Sequence, residues 1–389
     1  MEQYVYYSII FFVGLISLLY IYILLEKSIS YYEQKKRTKC EKILLPYIDN
    51  IFLRMEKKYP NYKTVKRIKE KIKNPMKRKI VIERVIYYSS IFSGEIRLNI
   101  IRLCEETQLL SYALKNLNSK DYKKIALSCK ILGELGSKSS ILHLLKVLDK
   151  KIPDIQYNAL MALSKIGDEE SLVAAFTTFN KNNTLSERSL IEIVDSFCGD
   201  KISLYHKMII DENPYISSIF IKSAGNYMDF AMNDIIASFI KESNLTRKIA
   251  SIKVIGQTYD IRYIDDLIEC MKDKSWQVRA VTANSLGKLE SNSALPILIG
   301  ALNDREWWVR RNSAEAIFMI PNGIKEIETV FLAQDSFAKD SLLSAMENSG
   351  VFSDLFLYEY STDITKRQLA KLVKDYINKF EVGDYKDDV

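Results

Sequence analysis

The feature that most constrains the fold of this 389-residue chain is a repeat with a period of about 31 residues. The segment that begins at Asp273 matches the segment that begins at Asp304, with aromatic, Val-Arg and small apolar residues in the same order. The matched positions are Asp273 and Asp304, Trp276 and Trp307, Val278-Arg279 and Val309-Arg310, Ala283 and Ala314, and Leu286 and Ile317. Glycines keep the same step at Gly225, Gly256 and Gly287, and again at Gly136 and Gly167. A fixed period in this range predicts stacked units, each of which buries its apolar face only against its neighbours.

Within a unit the apolar residues follow helical spacing. Leu295, Leu298, Ile299 and Leu302 form an i, i+3, i+4, i+7 stripe. Glycine or polar clusters, such as 167–170 and 290–293, suit the end of one helix and the start of the next. The sequence therefore predicts an all-α fold, in which an α-solenoid is built from repeats of helix, short turn and helix.

Two stretches carry a resemblance to a known family, "DKSWQVRAVTANSLGKLESNSALPILIGALND" and "PDIQYNALMALSKIGDEESLVAAF". They resemble bacterial HEAT repeats of the short type that is also found in phycobilin lyases, and the resemblance covers roughly residues 120–350. It implies a solenoid of HEAT-like helix pairs and says little about function. The predicted repeats are 121–149, 153–179, 185–210, 214–241, 246–273, 274–304 and 305–331.

A run of 22 uncharged residues occupies positions 4–25. At about 1.5 Å per residue such a helix reaches roughly 33 Å, enough to cross a hydrocarbon core of about 30 Å. Tyrosines at both ends, including Tyr4 and Tyr22, suit the headgroup layers. A cleaved secretory signal is the alternative, but it requires a basic start, a shorter apolar core and a small-residue cleavage site. The run therefore predicts a transmembrane helix.

The net charge of +7 is distributed unevenly along the chain. Residues 57–79 contain eleven Lys/Arg and one acid, Glu70, and carry +10, whereas 1–56 carry +1 and 80–389 carry −4. The Lys/Arg excess follows the apolar run, which predicts a single-pass protein of the cell membrane with its N-terminus outside and its solenoid in the cytoplasm. Because the repeats are net acidic, we expect no nucleic-acid partner.

These observations predict a linear order of segments. They are an extracytoplasmic N-terminus at 1–3, a transmembrane helix at 4–25, a basic juxtamembrane helical region at 26–119, the HEAT-repeat solenoid at 120–350, C-terminal capping helices at 351–380 and an acidic tail at 381–389.

Residues 61–74 predict an amphipathic basic helix. Tyr62, Val65, Ile68 and Ile72 follow helical spacing on one side. The basic residues on the other side, which are the candidate membrane-surface residues, are Lys63, Lys66, Arg67, Lys69, Lys71 and Lys73. This pattern is typical of a helix on an anionic bilayer. It equally suits a helix that packs its apolar stripe internally and leaves its basic face in solvent.

The tryptophans provide the candidate partner-binding residue. Trp276 and Trp307 share one repeat position, where an aromatic is expected to pack between neighbouring repeats. Trp308 has no counterpart, because Gln277 holds the matching place, and we predict that it is an exposed contact for a protein partner. A stacked base or a bound cation is the other interpretation of an aromatic beside an arginine.

The charged and metal-ligating residue types predict structural roles. Arg279 and Arg310 are expected to bond Asp273 and Asp304 in a ladder between repeats, with a bound anion as the alternative.

The two histidines, His143 and His206, and the five cysteines, Cys40, Cys104, Cys129, Cys198 and Cys270, lack metal-site spacing. We expect no metal and no cofactor, and we expect the cysteines to be reduced core thiols.

The order of segments is similar to that of a bacterial class of membrane-anchored HEAT proteins. That resemblance suggests a membrane-associated enzyme, such as a polysaccharide glycosyltransferase, as the protein partner. No residue pattern indicates catalysis, so the sequence predicts a scaffold rather than an enzyme. The alternatives are a lyase-like HEAT enzyme acting on a bound chromophore and a nucleic-acid-binding HEAT module.

Overall fold

A computed structural model describes residues 2–55, 58–92, 94–177, 185–227, 230–333 and 335–383 of the chain. Helices joined by short turns make up these segments, and none of the described residues lies in a β-strand. The prediction of an all-α fold is confirmed. The predicted acidic tail, 381–389, falls mostly outside the described residues. The chain divides into two units, Met1–Ala175 and Phe176–Val389.

The first unit begins with one very long helix. Its helices are α1 (Glu2–Arg54), α2 (Tyr62–Lys71), α3 (Pro75–Ile91), α4 (Gly94–Glu106), α5 (Leu109–Asn116), α6 (Tyr122–Glu134), α7 (Ile141–Leu148) and α8 (Pro153–Ile166), and α9 (Glu169–Thr177) ends just past the unit boundary. Asparagine residues cap the N-termini of α2 and α3. The Asn61 side chain accepts a hydrogen bond from the amide of Thr64, and Asn74 caps α3 directly ahead of Pro75.

Helix α1 combines an exposed apolar half with a packed half. Its 53 residues extend for roughly 80 Å at 1.5 Å per residue. It is the one described helix that is long and apolar enough to cross a membrane, and its apolar window is not buried by the rest of the chain. Towards its C-terminus it packs on α3, where Arg84 bonds Asp49 and the Phe52 ring lies 4.8 Å from that of Tyr88.

The second unit continues as helix pairs. Its helices are α10 (Glu187–Asp195), α11 (Lys201–Met208), α12 (Pro214–Tyr227), α13 (Asn233–Ser238), α14 (Leu245–Gln257), α15 (Ile264–Cys270), α16 (Trp276–Lys288), α17 (Leu295–Ala301), α18 (Trp307–Met319), α19 (Gly323–Leu332), α20 (Ser336–Ser349), α21 (Val351–Tyr358) and α22 (Ile364–Gly383). Each predicted repeat from 121 to 331 contains one such pair, and within this unit the packing is solenoid-like.

The first helices of successive pairs pack directly on one another, and we call them the first-helix layer. In the second unit this layer comprises α10, α12, α14, α16, α18 and α20. Close approach is possible because a glycine faces the next helix: a Cβ on Gly287 would lie 2.7 Å from Ala316, and one on Gly256 would lie 2.5 Å from Ser285. The repeated glycines Gly225, Gly256 and Gly287 therefore mark helix contacts, whereas Gly136 and Gly167 occupy turns with positive φ.

Candidate functional site

The first-helix layer has a solvent-facing side that is organised by the repeat. Side chains one repeat apart bond across it: Asn226 donates to Asp195 at 3.0 Å and Gln257 donates to Asn226 at 3.4 Å. In the first unit, Lys165 pairs with Glu134 at the same step. Lys288 and Met319 continue this column on α16 and α18.

An aromatic cluster stands at the start of α18. Trp307 and Trp308 are 47% and 50% exposed, and their rings meet edge to face with centroids 4.6 Å apart. The Arg311 guanidinium lies 5.3 Å from the Trp307 ring and 6.0 Å from the Trp308 ring. Met319, which is 44% exposed, lies three turns further along the same face as Trp308. We call Trp307, Trp308, Arg311 and Met319 the Trp patch.

The predicted exposure agrees with the structure for Trp308 but not for Trp307. Trp308 is exposed, as a contact residue must be, although its role in binding stays a prediction. The expectation that Trp307 packs between repeats is wrong, because nearly half of it faces solvent. Trp276, at the matching position, is only partly exposed. Both α18 tryptophans lie in the first turn of the helix.

Beside the patch, an ion-pair ladder joins consecutive repeats. Arg279 donates to both carboxylate oxygens of Asp304, at 2.7 and 2.8 Å, and also to the carbonyl of Asp273. The Asp273 carboxylate pairs with Lys248 at 2.9 Å. The predicted ladder therefore exists, but Arg310 departs from it, because it donates to main-chain carbonyls and lies over the Phe337 ring instead.

The ladder determines the ionisation of its acids. Burial, the largest single effect, opposes ionisation of Asp304, but the hydrogen bonds from Arg279 and from a backbone amide, together with the attraction of nearby positive charges, outweigh it, so the pKa of Asp304 lies below its usual range. The pKa of Asp273 is lowered in the same way, because the hydrogen bonds from Lys248 and a backbone amide and the attraction of nearby positive charges together outweigh burial. Both carboxylates line one cleft, in which four Lys and Arg side chains also lie.

The repeats also match a known family. The sequence matches the profile of HEAT repeats over residues 110–184 and 233–317. The chain contains HEAT repeats. The second matched region includes α16, α17 and most of α18, so the ion-pair ladder and, apart from Met319, the Trp patch lie on HEAT repeats. The first region begins ahead of residue 120, where the sequence alone placed the start of the repeats.

Several solved structures are similar to the chain at low identity. An engineered protein is 13% identical, with 80% of this chain and 98% of that chain covered and a TM-score of 0.34. The complex of CpcE and CpcF of phycocyanin lyase from Nostoc is 13% identical, covering 68% and 94%, with a TM-score of 0.29. A Kap95p–RanGDP structure is 11% identical, covering 87% and 57%, with a TM-score of 0.41. No curated protein matches the sequence.

Ahead of the HEAT repeats, the predicted amphipathic helix forms as α2. Val65, Ile68 and Ile72 are buried within the first unit, so this stripe is not available for insertion into a bilayer. Only Tyr62, 78% exposed, faces solvent from the apolar set. The basic residues remain at the surface, with Lys63, Lys66, Arg67 and Lys73 exposed and Lys69 and Lys71 partly exposed. Their contact with lipid stays a prediction.

The histidines and most cysteines have ordinary surroundings. His143 and His206 are exposed, and the described residues contain no group of three or more potential metal ligands. Burial raises the pKa of Cys104 and of Cys129 to about 12 and that of Cys270 to about 11, so these thiols stay protonated. Cys198 is exposed, which contradicts its prediction as a core thiol.

Proposed function

We propose that this protein is a membrane-tethered scaffold whose HEAT repeats bind a protein partner through the Trp patch. The observation that carries the proposal is the pair of half-exposed tryptophans beside Arg311 on α18. Trp and Arg are the residue types that most often dominate the energy of protein interfaces. An extended repeat surface adds further contacts around such a centre.

The tether is the second part of the proposal. Residues 4–25 would cross the cell membrane, with the N-terminus outside and the HEAT repeats in the cytoplasm. Because the span confines the repeats to the membrane surface, it raises the local concentration of any partner that is itself in the membrane. A membrane-associated enzyme, such as a polysaccharide glycosyltransferase, is the partner that the family resemblance suggests. The scaffold itself is proposed to be non-catalytic.

Crosslinking combined with a substitution tests the partner surface. A photo-crosslinking amino acid at position 308 of the full-length chain should capture one membrane-associated protein in native membranes. Trp308→Ala should then weaken the complex with that protein about thirtyfold, because a central aromatic commonly carries 2 kcal/mol or more of an interface. Trp307→Ala should weaken it as well, since both rings form the patch.

Leu142→Ala provides the matched control. Leu142 is 71% exposed on α7, far along the chain from the patch, so its truncation should leave binding unchanged. Unaltered binding by both tryptophan variants, with circular dichroism showing them folded, would reject the Trp patch as the partner surface.

A further inference from the structure

Two adjoining clefts follow the groove between α1 and α2. One, of about 340 Å³, is lined by Tyr47, Asn50, Ile51, Arg54, Lys58, Tyr59, Pro60, Asn61, Thr64 and Arg67. The other, of about 760 Å³, is lined by Ile43, Tyr47, Lys63, Lys66, Arg67, Glu70 and Lys71. Tyr47 and Arg67 line both clefts, so the two clefts adjoin, and we call them together the groove. Each volume is in the range of small-molecule sites, a few hundred to a thousand Å³.

The groove is lined by cations that have no anionic partner. Arg54, Lys58 and Arg67 make no ion pair with any described residue, nor do Lys63, Lys66 and Lys71. The one acid in the lining, Glu70, is already paired with Lys73 at 2.7 Å. Glu106, which lies near Tyr59, is paired with Arg102. Six cations therefore line the two clefts, and the described carboxylates near them, Glu70 and Glu106, are already paired.

A tyrosine that lines both clefts is surrounded by cationic groups. The Tyr47 Oη atom is shielded from solvent and has no hydrogen-bond partner among the described residues, so this oxygen does not itself reach a ligand in the clefts. The Lys71 ammonium lies 5.4 Å from the centre of the same ring. The arginine and lysine groups that line the clefts suit the oxygens of a phosphate.

The position of the groove along α1 distinguishes the sources of phosphate, and this step rests on the proposed membrane span. Ile43 and Tyr47 lie 18 and 22 residues beyond Leu25. In a continuous helix these separations are roughly 27 and 33 Å. With α1 upright on the membrane, that distance exceeds the interfacial layer and a Debye length of about 8–10 Å, and the groove then lies beyond the lipid headgroups.

We propose that the groove between α1 and α2 is a binding site for a soluble phosphorylated small molecule of the size of a nucleoside di- or triphosphate. Arg54 and Lys58 at one end, with Lys63, Lys66 and Lys71 at the other, hold the phosphates, and Arg67 stands at the centre. The site is separate from the Trp patch, and it does not require partner binding.

Calorimetric titration of the full-length chain in neutral-lipid nanodiscs tests the site, with inorganic triphosphate and ATP as probes. Saturable binding that weakens as salt rises is expected. The double variant Arg54→Gln/Arg67→Gln should lose tenfold or more in affinity, about the effect of one or two charge-assisted hydrogen bonds.

The control Lys77→Gln/Lys79→Gln removes two charges from α3, outside the lining of both clefts, and should retain nearly full affinity. If the two double variants lost affinity equally, binding would depend on the overall positive charge of the region and the proposed site would be wrong. The absence of saturable binding would also overturn the site. If nanodiscs that contain phosphatidylserine block the binding of triphosphate, lipid headgroups occupy the groove, and the assignment to a soluble ligand would be wrong. Preferential binding of polyglutamate over triphosphate would overturn it in favour of an acidic protein.

Discussion

At the scale of single residues, the pair of Arg279 and Asp304 joins two repeats at one point. Their side chains are only 10% and 12% exposed, so little solvent competes for their hydrogen bonds. A carboxylate held in this way is strongly coupled to its partner, and removal of either one leaves the other charge uncompensated. Sequence spacing could predict this pair, because both residues recur with the repeat.

We predict that Asp304→Asn destabilises the chain by about 3 kcal/mol, since it leaves the buried Arg279 without its counter-charge. Glu347→Gln is the control, because Glu347 is exposed and forms no ion pair with a described residue. Thermal melts of the two variants should differ by several degrees, given about 2–4 °C per kcal/mol for a unit of this size. Identical melts would show that the pair contributes nothing.

The same carboxylate predicts a pH dependence. The folded pKa of Asp304 lies below the value of about 3.9 expected in the unfolded chain. Its stabilising contribution is therefore complete above that unfolded value and is lost as pH falls through the lower folded value. The stability difference between the parent and Asp304→Asn should be constant near neutral pH and shrink below about pH 4. Denaturant melts across this range measure it.

The repeat spacing could predict the exposure of the Trp patch only in part. The matching positions of Trp276 and Trp307 indicated the same register, and both residues do begin their helices. Exposure depends on which neighbouring side chains cover the first turn, and that differs between α16 and α18. The exposure of Trp308 could be anticipated because it breaks the repeat, whereas that of Trp307 could not.

At the scale of helices, the repeated glycines determine how closely the first-helix layer can pack. Their period was evident in the sequence, but a periodic glycine is compatible with a turn or with a close helix contact. Gly225, Gly256 and Gly287 lie inside helices and face the next helix. Only the position of that neighbour distinguishes the two cases, so the sequence predicted the helix pairs and not how the pairs approach.

A matched pair of substitutions tests this role. Gly287→Ala places a Cβ 2.7 Å from Ala316 and should destabilise the chain by about 1–3 kcal/mol through overpacking. Gly300→Ala, where no atom lies within 4 Å, should instead stabilise α17 by about 0.5 kcal/mol through helix propensity. Denaturant unfolding of both variants measures the difference. A stabilising Gly287→Ala would contradict the close contact.

The amphipathic helix α2 is a second case in which the sequence predicted the helix but not its surroundings. Its period predicted a helix with an apolar and a basic side, and both sides formed. The sequence left two environments open for the apolar side, a bilayer or the protein interior. Burial of Val65, Ile68 and Ile72 assigns it to the interior of the first unit.

At the scale of the whole chain, α1 connects the apolar N-terminus to the folded first unit without a break. Because the helix is continuous, the position of a membrane span also determines the position of the residues packed near the C-terminus of α1, among them Phe52 and Asp49. Composition and length could predict the apolar run. They could not predict that the same helix would continue for about 29 residues beyond it.

The tether leads to a prediction about location and topology. A reporter that is active only outside the cytoplasm, fused after Val389, should be silent, because the Lys/Arg excess follows the apolar run and holds that side in the cytoplasm. The same reporter fused ahead of Met1 should be active. A chain lacking residues 2–25 should leave the membrane fraction and retain its helical circular dichroism, since those residues bury nothing of the repeats. Loss of an N-terminal tag during export would instead identify the run as a cleaved signal, and activity of the C-terminal fusion would then follow, because a cleaved signal delivers the whole chain across the membrane.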